Sequence, residues 1–221
     1  MDTSSLALQP HNVGAAIFDF DGTLADTAAL WHEVDWSFFN KRGIVPEPHY
    51  AQRLAALGFV EGARYTIETY GLDESVEDVC AEWTETSEHL YKESVTLRPG
   101  ALEYLRRLAE HGVPCALATT NSASVLESMR HVDVRRLFGE CVYGSEVSRG
   151  KDHPDIYLEA ARRLGVSPES CTVFEDITPA LHAAHRAGMT SCGVRSGDAN
   201  QPVESLRAAA DLWIEDWRDL R

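Results

Sequence analysis

Short apolar runs of about four to eight residues recur along the chain, each closed by polar or turn-forming residues. The first, from Val13 to Phe20, ends in Asp21-Gly22-Thr23. Four more follow at Val113 to Ala118, Glu140 to Tyr143, Cys171 to Phe174 and Thr190 to Val194, with a weaker sixth at Asp211 to Ile214. Runs of this length bounded by turn signals predict buried strands. Between them the period changes. Leu102, Leu105, Leu108 and Ala109 form a helical stripe after Pro99-Gly100, closed by His111-Gly112. Asp155 to Leu164 follows Pro154 and stops at Gly165, and Pro179 to Ala187 stops at Gly188. A further helix is expected from Ser124 to Met129. Strands alternating with helices predict βαβ units, hence an α/β fold: a Rossmann-like parallel sheet flanked by helices.

Residues 28–97 break the rhythm. They carry helical patterns such as Trp31 to Phe39 and Ser75 to Tyr91, and no convincing strand. The expectation is a core formed by 1–27 and 98–221, with 28–97 inserted after the first strand as a small all-helical bundle. Trp31, Trp36, Phe38 and Phe39 stand at helical spacing and are expected to pack that bundle.

Composition narrows the function classes. Of 221 residues, 44% are hydrophobic and 25% charged, which is globular rather than disordered. Asp and Glu number 35 against 20 Lys and Arg, a net charge of −15. Such a chain repels nucleic-acid phosphates, and no basic cluster offsets that. No apolar run reaches the roughly 20 residues that span a bilayer, and no secretory leader pattern opens the sequence. The five cysteines lack CxxC spacing and are expected to be reduced, and the nine histidines lack the spacing of a zinc site. A cytoplasmic protein with neither a membrane nor a nucleic-acid partner is expected. Nothing in the pattern sets monomer against dimer.

Four features carry chemistry. Asp19 and Asp21 lie two apart where the first strand ends, so both carboxylates face one volume at the carboxyl edge of the sheet. Crowded carboxylates call for a cation, and all-oxygen donors favour Mg²⁺. Thr119-Thr120-Asn121-Ser122 places hydroxyl and amide groups between a strand and a helix, where they also serve as caps. Lys151 is one of three lysines, in a loop before a helix, and a point charge suits a phosphoryl oxygen. Glu175-Asp176 ends another buried run, where two acids are costly without a counter-ion. Each alone also reads as a cap or a solvated side chain. All four at one sheet edge make the set that phosphoryl transfer needs.

This ordered set resembles the haloacid dehalogenase superfamily of phosphohydrolases, in the branch with a helical cap after the first motif. The resemblance runs from about Ile17 to Val194, and Arg98-Pro99-Gly100 and His153-Pro154-Asp155-Ile156-Tyr157 are similar to that branch as well. It implies that Asp19 attacks phosphorus and that Asp21 acts as general acid and base. It implies Mg²⁺ on Asp19, the Asp21 backbone carbonyl and Asp176, with Glu175 nearby. Thr119, with Thr120 one residue away, and Lys151 would hold phosphoryl oxygens; Asn121 and Thr27 would contact substrate or loop. Phe59, Glu61 and Arg64, in a loop from Leu57 to Arg64, would be lid contacts.

The chain departs from the family at Ile177, Ala180 and Asp152, where serine, glycine and proline are common. The expected activity is Mg²⁺-dependent hydrolysis of a small phosphate monoester, a sugar phosphate by default. A β-phosphoglucomutase-like isomerase is the alternative, but Trp31 replaces the histidine of such mutases. Their basic cap loop is Leu57-Gly58-Phe59-Val60-Glu61 here, without a cation before Arg64. A phosphonatase would need Lys41 or Lys92 in its cap. A non-catalytic binding protein is disfavoured because Asp19, Asp21, Asp176 and Lys151 are all retained.

Overall fold

The computed structural model describes residues 3–220. The apolar runs form six strands: β1 (Ala15–Phe18), β2 (Cys115–Thr119), β3 (Glu140–Tyr143), β4 (Cys171–Glu175), β5 (Thr190–Val194) and β6 (Leu212–Ile214). All pair parallel, in the order β3-β2-β1-β4-β5-β6. The helices are α1 (Thr3–Ala7), α2 (Ala28–Arg42), α3 (Tyr50–Leu54), α4 (Phe59–Tyr70), α5 (Val76–Ser94), α6 (Ala101–Glu110), α7 (Ala123–Ser128), α8 (Val134–Leu137), α9 (Asp155–Leu164), α10 (Thr178–Arg186) and α11 (Val203–Ala209). No helix among the described residues is long and apolar enough to cross a membrane.

β1 is central and buried on both faces, which explains its unbroken apolar sequence. Its side chains alternate between two cores. Ala16 and Phe18 join Leu105, Leu108, Leu117, Phe174 and Trp217, while Ala15 and Ile17 join Ile156, Ala160, Val173 and Ala184. Phe18 and Phe174 face each other in register on adjacent strands and stack with centroids 4.4 Å apart. This packing fixes how β1 and β4 end side by side. The five cysteines are all unpaired.

Between β1 and α6 lie α2 to α5 and no named strand. They enclose their own apolar cluster of Val34, Phe38, Phe39, Tyr50, Ala63, Val79 and Trp83. Phe39 meets Tyr50 edge-on at 4.8 Å, and Tyr50 bonds the Thr66 hydroxyl at 2.9 Å. Trp36 departs from its expected role. It is 61% exposed, because Phe38 and Phe39 occupy the inward face of α2 and Trp36 falls on the other.

Arg42 staples the end of α2 to α5 and the loop before it. Its guanidinium donates to Glu74 and Glu82, the latter at 2.8 Å, and lies 3.6 Å over the Phe38 ring. Lys41 adds a bond to Glu82 at 2.9 Å. The Arg42 side chain is only 14% exposed, so solvent screens this network less than a surface pair. Arg42→Ala is expected to cost about 1–2 kcal/mol, lowering the melting midpoint by about 3–6 °C. Arg42→Lys would recover part of this, since an ammonium cannot bridge both acids in plane. An unchanged midpoint for Arg42→Ala would show the network to be energetically idle.

Candidate active site

β1, β2 and β4 deliver their following residues to one edge. Phe18 pairs with Leu117 and with Phe174, so Asp19, Thr119 and Glu175 emerge together at the carboxyl ends. The chain then turns sharply: Gly22 adopts φ +82°, and its N–H donates to Ala25 O at 2.8 Å. Arg98 secures this turn by donating to Gly22 O at 2.9 Å, and Trp217 Nε1 donates to Thr23 O at 3.0 Å. A side chain at position 22 is doubly excluded. Besides the positive φ, its Cβ would sit 2.0 Å from Asp176 Oδ2.

Asp19, Glu175 and Asp176 are all buried and each offers a carboxylate oxygen within 4.8 Å of the others. Lys151, 2% exposed, donates to Asp19 Oδ1 and, at 2.5 Å, to Glu175 Oε1. Tyr157 adds a bond to the same Glu175 oxygen at 2.7 Å. One oxygen of each acid remains orphaned: Asp19 Oδ2 and Glu175 Oε2 are buried without any partner. Burial pushes the Asp19 carboxyl up to about 7, against the pull of Lys151. Burial, then Asp19 and Glu175, raise Asp176 well above the usual carboxylate range. Burial works against the Lys151 ammonium, but Asp19 and Glu175 outweigh it and hold the proton more firmly than usual. Three acids with a single ammonium leave excess negative charge and orphaned oxygens. A hard divalent cation fits that donor set.

Asp21 turns away from this cluster. Its Oδ1 accepts from Thr27 Oγ1 at 2.7 Å and from Tyr91 OH, and its Oδ2 accepts from Asn121 Nδ2 at 3.0 Å. The Asp21 side chain is therefore no part of the acid cluster, which leaves only its backbone carbonyl for the metal expectation. Asn121 is likewise engaged, its Oδ1 accepting the Ser122 N–H at 2.8 Å.

A cavity of about 170 Å³ opens above these groups. Asp19, Asp21, Lys151, Glu175 and Asp176 line it, as do Thr27, Thr120, Asn121 and Phe59. Thr119, buried, is not among the lining residues, and its Oγ1 accepts the Asn121 N–H at 3.1 Å. Arg64 and Glu61 do not reach it. The stretch expected as a loop is largely the first turns of α4, where Phe59, Gly62 and Ala63 face inward. Arg64 is thereby rotated out to solvent, and both it and Glu61 line a separate shallow depression beside Arg149.

Sequence reasoning does not single out Tyr91 and Tyr157 as site residues. Tyr157 lies in the His153-to-Tyr157 stretch and Tyr91 at the end of a helical stretch, and a hydroxyl on an otherwise apolar, buried helix face is the only sign either gives. Besides lining the cavity, the helical segment hydrogen-bonds the site residues through Tyr91 and through Ala56 O, which accepts the Lys151 N–H at 2.7 Å.

Residues 16–194 match the family described as haloacid dehalogenase-like hydrolase. The phosphorylated carbohydrates phosphatase of Thermotoga maritima is 32% identical over 176 residues, covering 79% of this chain and 82% of that protein. The bifunctional riboflavin kinase/FMN phosphatase of Arabidopsis thaliana is 31% identical over 211 residues, 91% of this chain but only 55% of that longer protein. The crystal structure of CbbY from Rhodobacter sphaeroides in complex with phosphate superposes with a TM-score of 0.81 at 27% identity, covering 94% of this chain and 96% of that one. On sequence and fold together, this chain belongs to the haloacid dehalogenase-like hydrolases.

Proposed function

We propose that this protein is a Mg²⁺-dependent phosphatase that hydrolyses a small phosphate monoester, a sugar phosphate, through a phosphoaspartate on Asp19. The carrying observation is the buried cluster of Asp19, Glu175 and Asp176 around Lys151, with orphaned oxygens on two of its acids. The phosphatase names of its relatives support the same reading.

Asp19 attacks phosphorus as the phosphoester bond breaks, and Asp21 gives the departing alkoxide its proton. Asp21 then takes a proton from water as that water attacks the phosphoaspartate, releasing inorganic phosphate and restoring both acids. Tyr91, Thr27 and Asn121 hold the Asp21 carboxylate for both transfers. Lys151 offsets charge on the transferring group, and Tyr157 and Glu175 fix its position. Thr119 accepts from Asn121, so its O–H is left to donate to a phosphoryl oxygen, with Thr120 beside it. Asp19, Asp176, Glu175 and the Asp21 carbonyl would hold Mg²⁺, which supplies charge neutralisation on the phosphoryl oxygens.

Residues 28–97 act as a cap domain over the 1–27 and 98–221 core, excluding water from the leaving group. Among the described residues Lys151 is the only lysine or arginine lining the cavity, which supports hydrolysis over a mutase reaction gripping two phosphates. The substrate is a small phosphorylated metabolite, and the setting is cytoplasmic.

The defining assay is phosphate release from a panel of sugar phosphates, with and without chelator. Release that persists in chelator overturns the reading, and interconversion of glucose 1-phosphate and glucose 6-phosphate favours the mutase. Gly22→Ala is a sharper probe, because its Cβ would displace the Asp176 carboxylate. It is expected to raise the Mg²⁺ concentration for half-maximal activity by about tenfold or more. An unchanged Mg²⁺ dependence would remove Asp176 from the cation site.

A further inference from the structure

One wall of the cavity is a helical stripe of α2. Thr27, Trp31 and Asp35 follow at intervals of four and all line it. Thr27 touches Asp21, so it marks the end where chemistry occurs. Asp35 lies eight residues on, about 12 Å further along the helix axis. It is half-buried, yet no side chain or backbone group among the described residues hydrogen-bonds its carboxylate or pairs with it. Burial pushes its carboxyl up to about 7, the mark of an acceptor short of donors. Most acids of this chain sit in ion pairs or on the open surface; Asp35 does neither.

The surroundings define what that donor is. Among the described residues no lysine or arginine lines the cavity except Lys151, already engaged by Asp19 and Glu175. Asp198 adds a second carboxylate, 4.0 Å from His32 Nε2. An anionic end on the leaving group would meet repulsion from both carboxylates there, and the His32 imidazole that could offset it lies against Asp198. Asn200 and Gln201 bring amides that both donate and accept, and Trp31 and Phe59 bring aromatic faces. Hydroxyl groups on a carbon chain match this mixture. They donate to Asp35, exchange bonds with the amides, and lay C–H groups on the rings.

We propose that Asp35 is a specificity-determining residue that accepts a hydroxyl from the far end of an uncharged, polyhydroxylated leaving group and rejects esters carrying a second anion there. This rests on the phosphatase reading and deepens it to sugar and polyol monophosphates, excluding bisphosphates and phosphorylated acids.

The test is a matched pair, glucitol 6-phosphate and gluconate 6-phosphate, which differ only in CH₂OH against carboxylate at the end remote from phosphate. Both are assayed on one preparation, so damage to folding cancels in the ratio of kcat/KM. The wild type is expected to favour the polyol ester by about 10²-fold, carried mainly by KM. Asp35→Asn keeps shape and hydrogen bonding but removes the charge, and should shrink the ratio at least tenfold; Asp35→Lys should reverse the preference. A ratio unmoved by both substitutions overturns the assignment. So does a tenfold preference for glucosamine 6-phosphate over glucose 6-phosphate, which would make the donor an ammonium. Wild type that releases phosphate from 4-nitrophenyl phosphate but shows no preference within the pair refutes the role of Asp35 alone. No release from any ester, 4-nitrophenyl phosphate included, overturns the phosphatase reading and this proposal with it.

Discussion

Asp19→Asn is expected to lower kcat by on the order of 10⁴-fold or more, the scale seen when a covalent nucleophile is removed from an otherwise intact site. The amide is isosteric and still accepts from Lys151, so the protein should remain folded. Removing one of three crowded acids also relieves repulsion on Glu175 and Asp176, which works against any loss of stability. Lys151 keeps Glu175 as a partner, so the substitution leaves no unpaired buried ammonium. Activity and melting midpoint should therefore separate: turnover is lost while the midpoint holds within a few degrees. The wild-type protein, mixed with substrate and quenched in acid, should carry a phosphoryl group that hydroxylamine releases. The Asn variant should carry none. Phosphate release at near wild-type rates in Asp19→Asn would force the attack onto water directly, with Asp19 reduced to a cation ligand.

The fold and the acid cluster were legible in the sequence for the same reason. A parallel strand buried on both faces must be apolar throughout, so the first polar residue after it marks its carboxyl end. Asp19, Thr119 and Glu175 are such residues at the ends of β1, β2 and β4, and strand order then brings them together. The helical segment between β1 and β2 gave no comparable ruler. Which side of a short helix faces inward depends on packing partners that periodicity does not name. Trp36 looked like core and faces solvent; Arg64 looked like a lid contact and is turned away by the helical start at Phe59. Tyr91 and Asp35 work through partners 70 residues away or through a cavity, and neither leaves a mark in local spacing.

Contacts across the two parts connect specificity to chemistry. Tyr91 reaches Asp21 from α5, and Ala56 takes the backbone N–H of Lys151. Two groups that the mechanism needs in place are thus held from the helical side. On the proposed mechanism, a leaving group that fills the cavity and seats that segment would also orient the acid and the ammonium. One that cannot seat it leaves both less constrained.

Withdrawing the cation should have the second large effect, and its sign with pH is fixed by the acid cluster. Chelation is expected to reduce turnover by about 10³-fold or more, because Lys151 alone must then neutralise both Asp19 and the phosphoryl oxygens. Stability should respond too. In the cation-free protein Asp19 binds its proton up to about pH 7, against an ordinary value of 3.8, and Asp176 shifts the same way. Well below pH 3.8, folded and unfolded chains both carry these protons and the groups cost nothing. As pH rises through 3.8 toward 7 the unfolded chain releases protons that the folded chain retains, so folding stability falls; above 7 the whole Asp19 penalty is present, and Asp176 acts in the same direction. A bound divalent cation displaces those protons and offsets the penalty. The rise in melting midpoint on adding Mg²⁺ should therefore be small at pH 5 and grow steadily to pH 8. Calorimetric titration at pH 6.5, repeated in buffers of different ionisation enthalpy, should show proton release on binding. A stabilisation that is the same at every pH, or binding without proton release, would mean that Mg²⁺ sits away from Asp19 and Asp176, and the acid cluster would then need a different occupant.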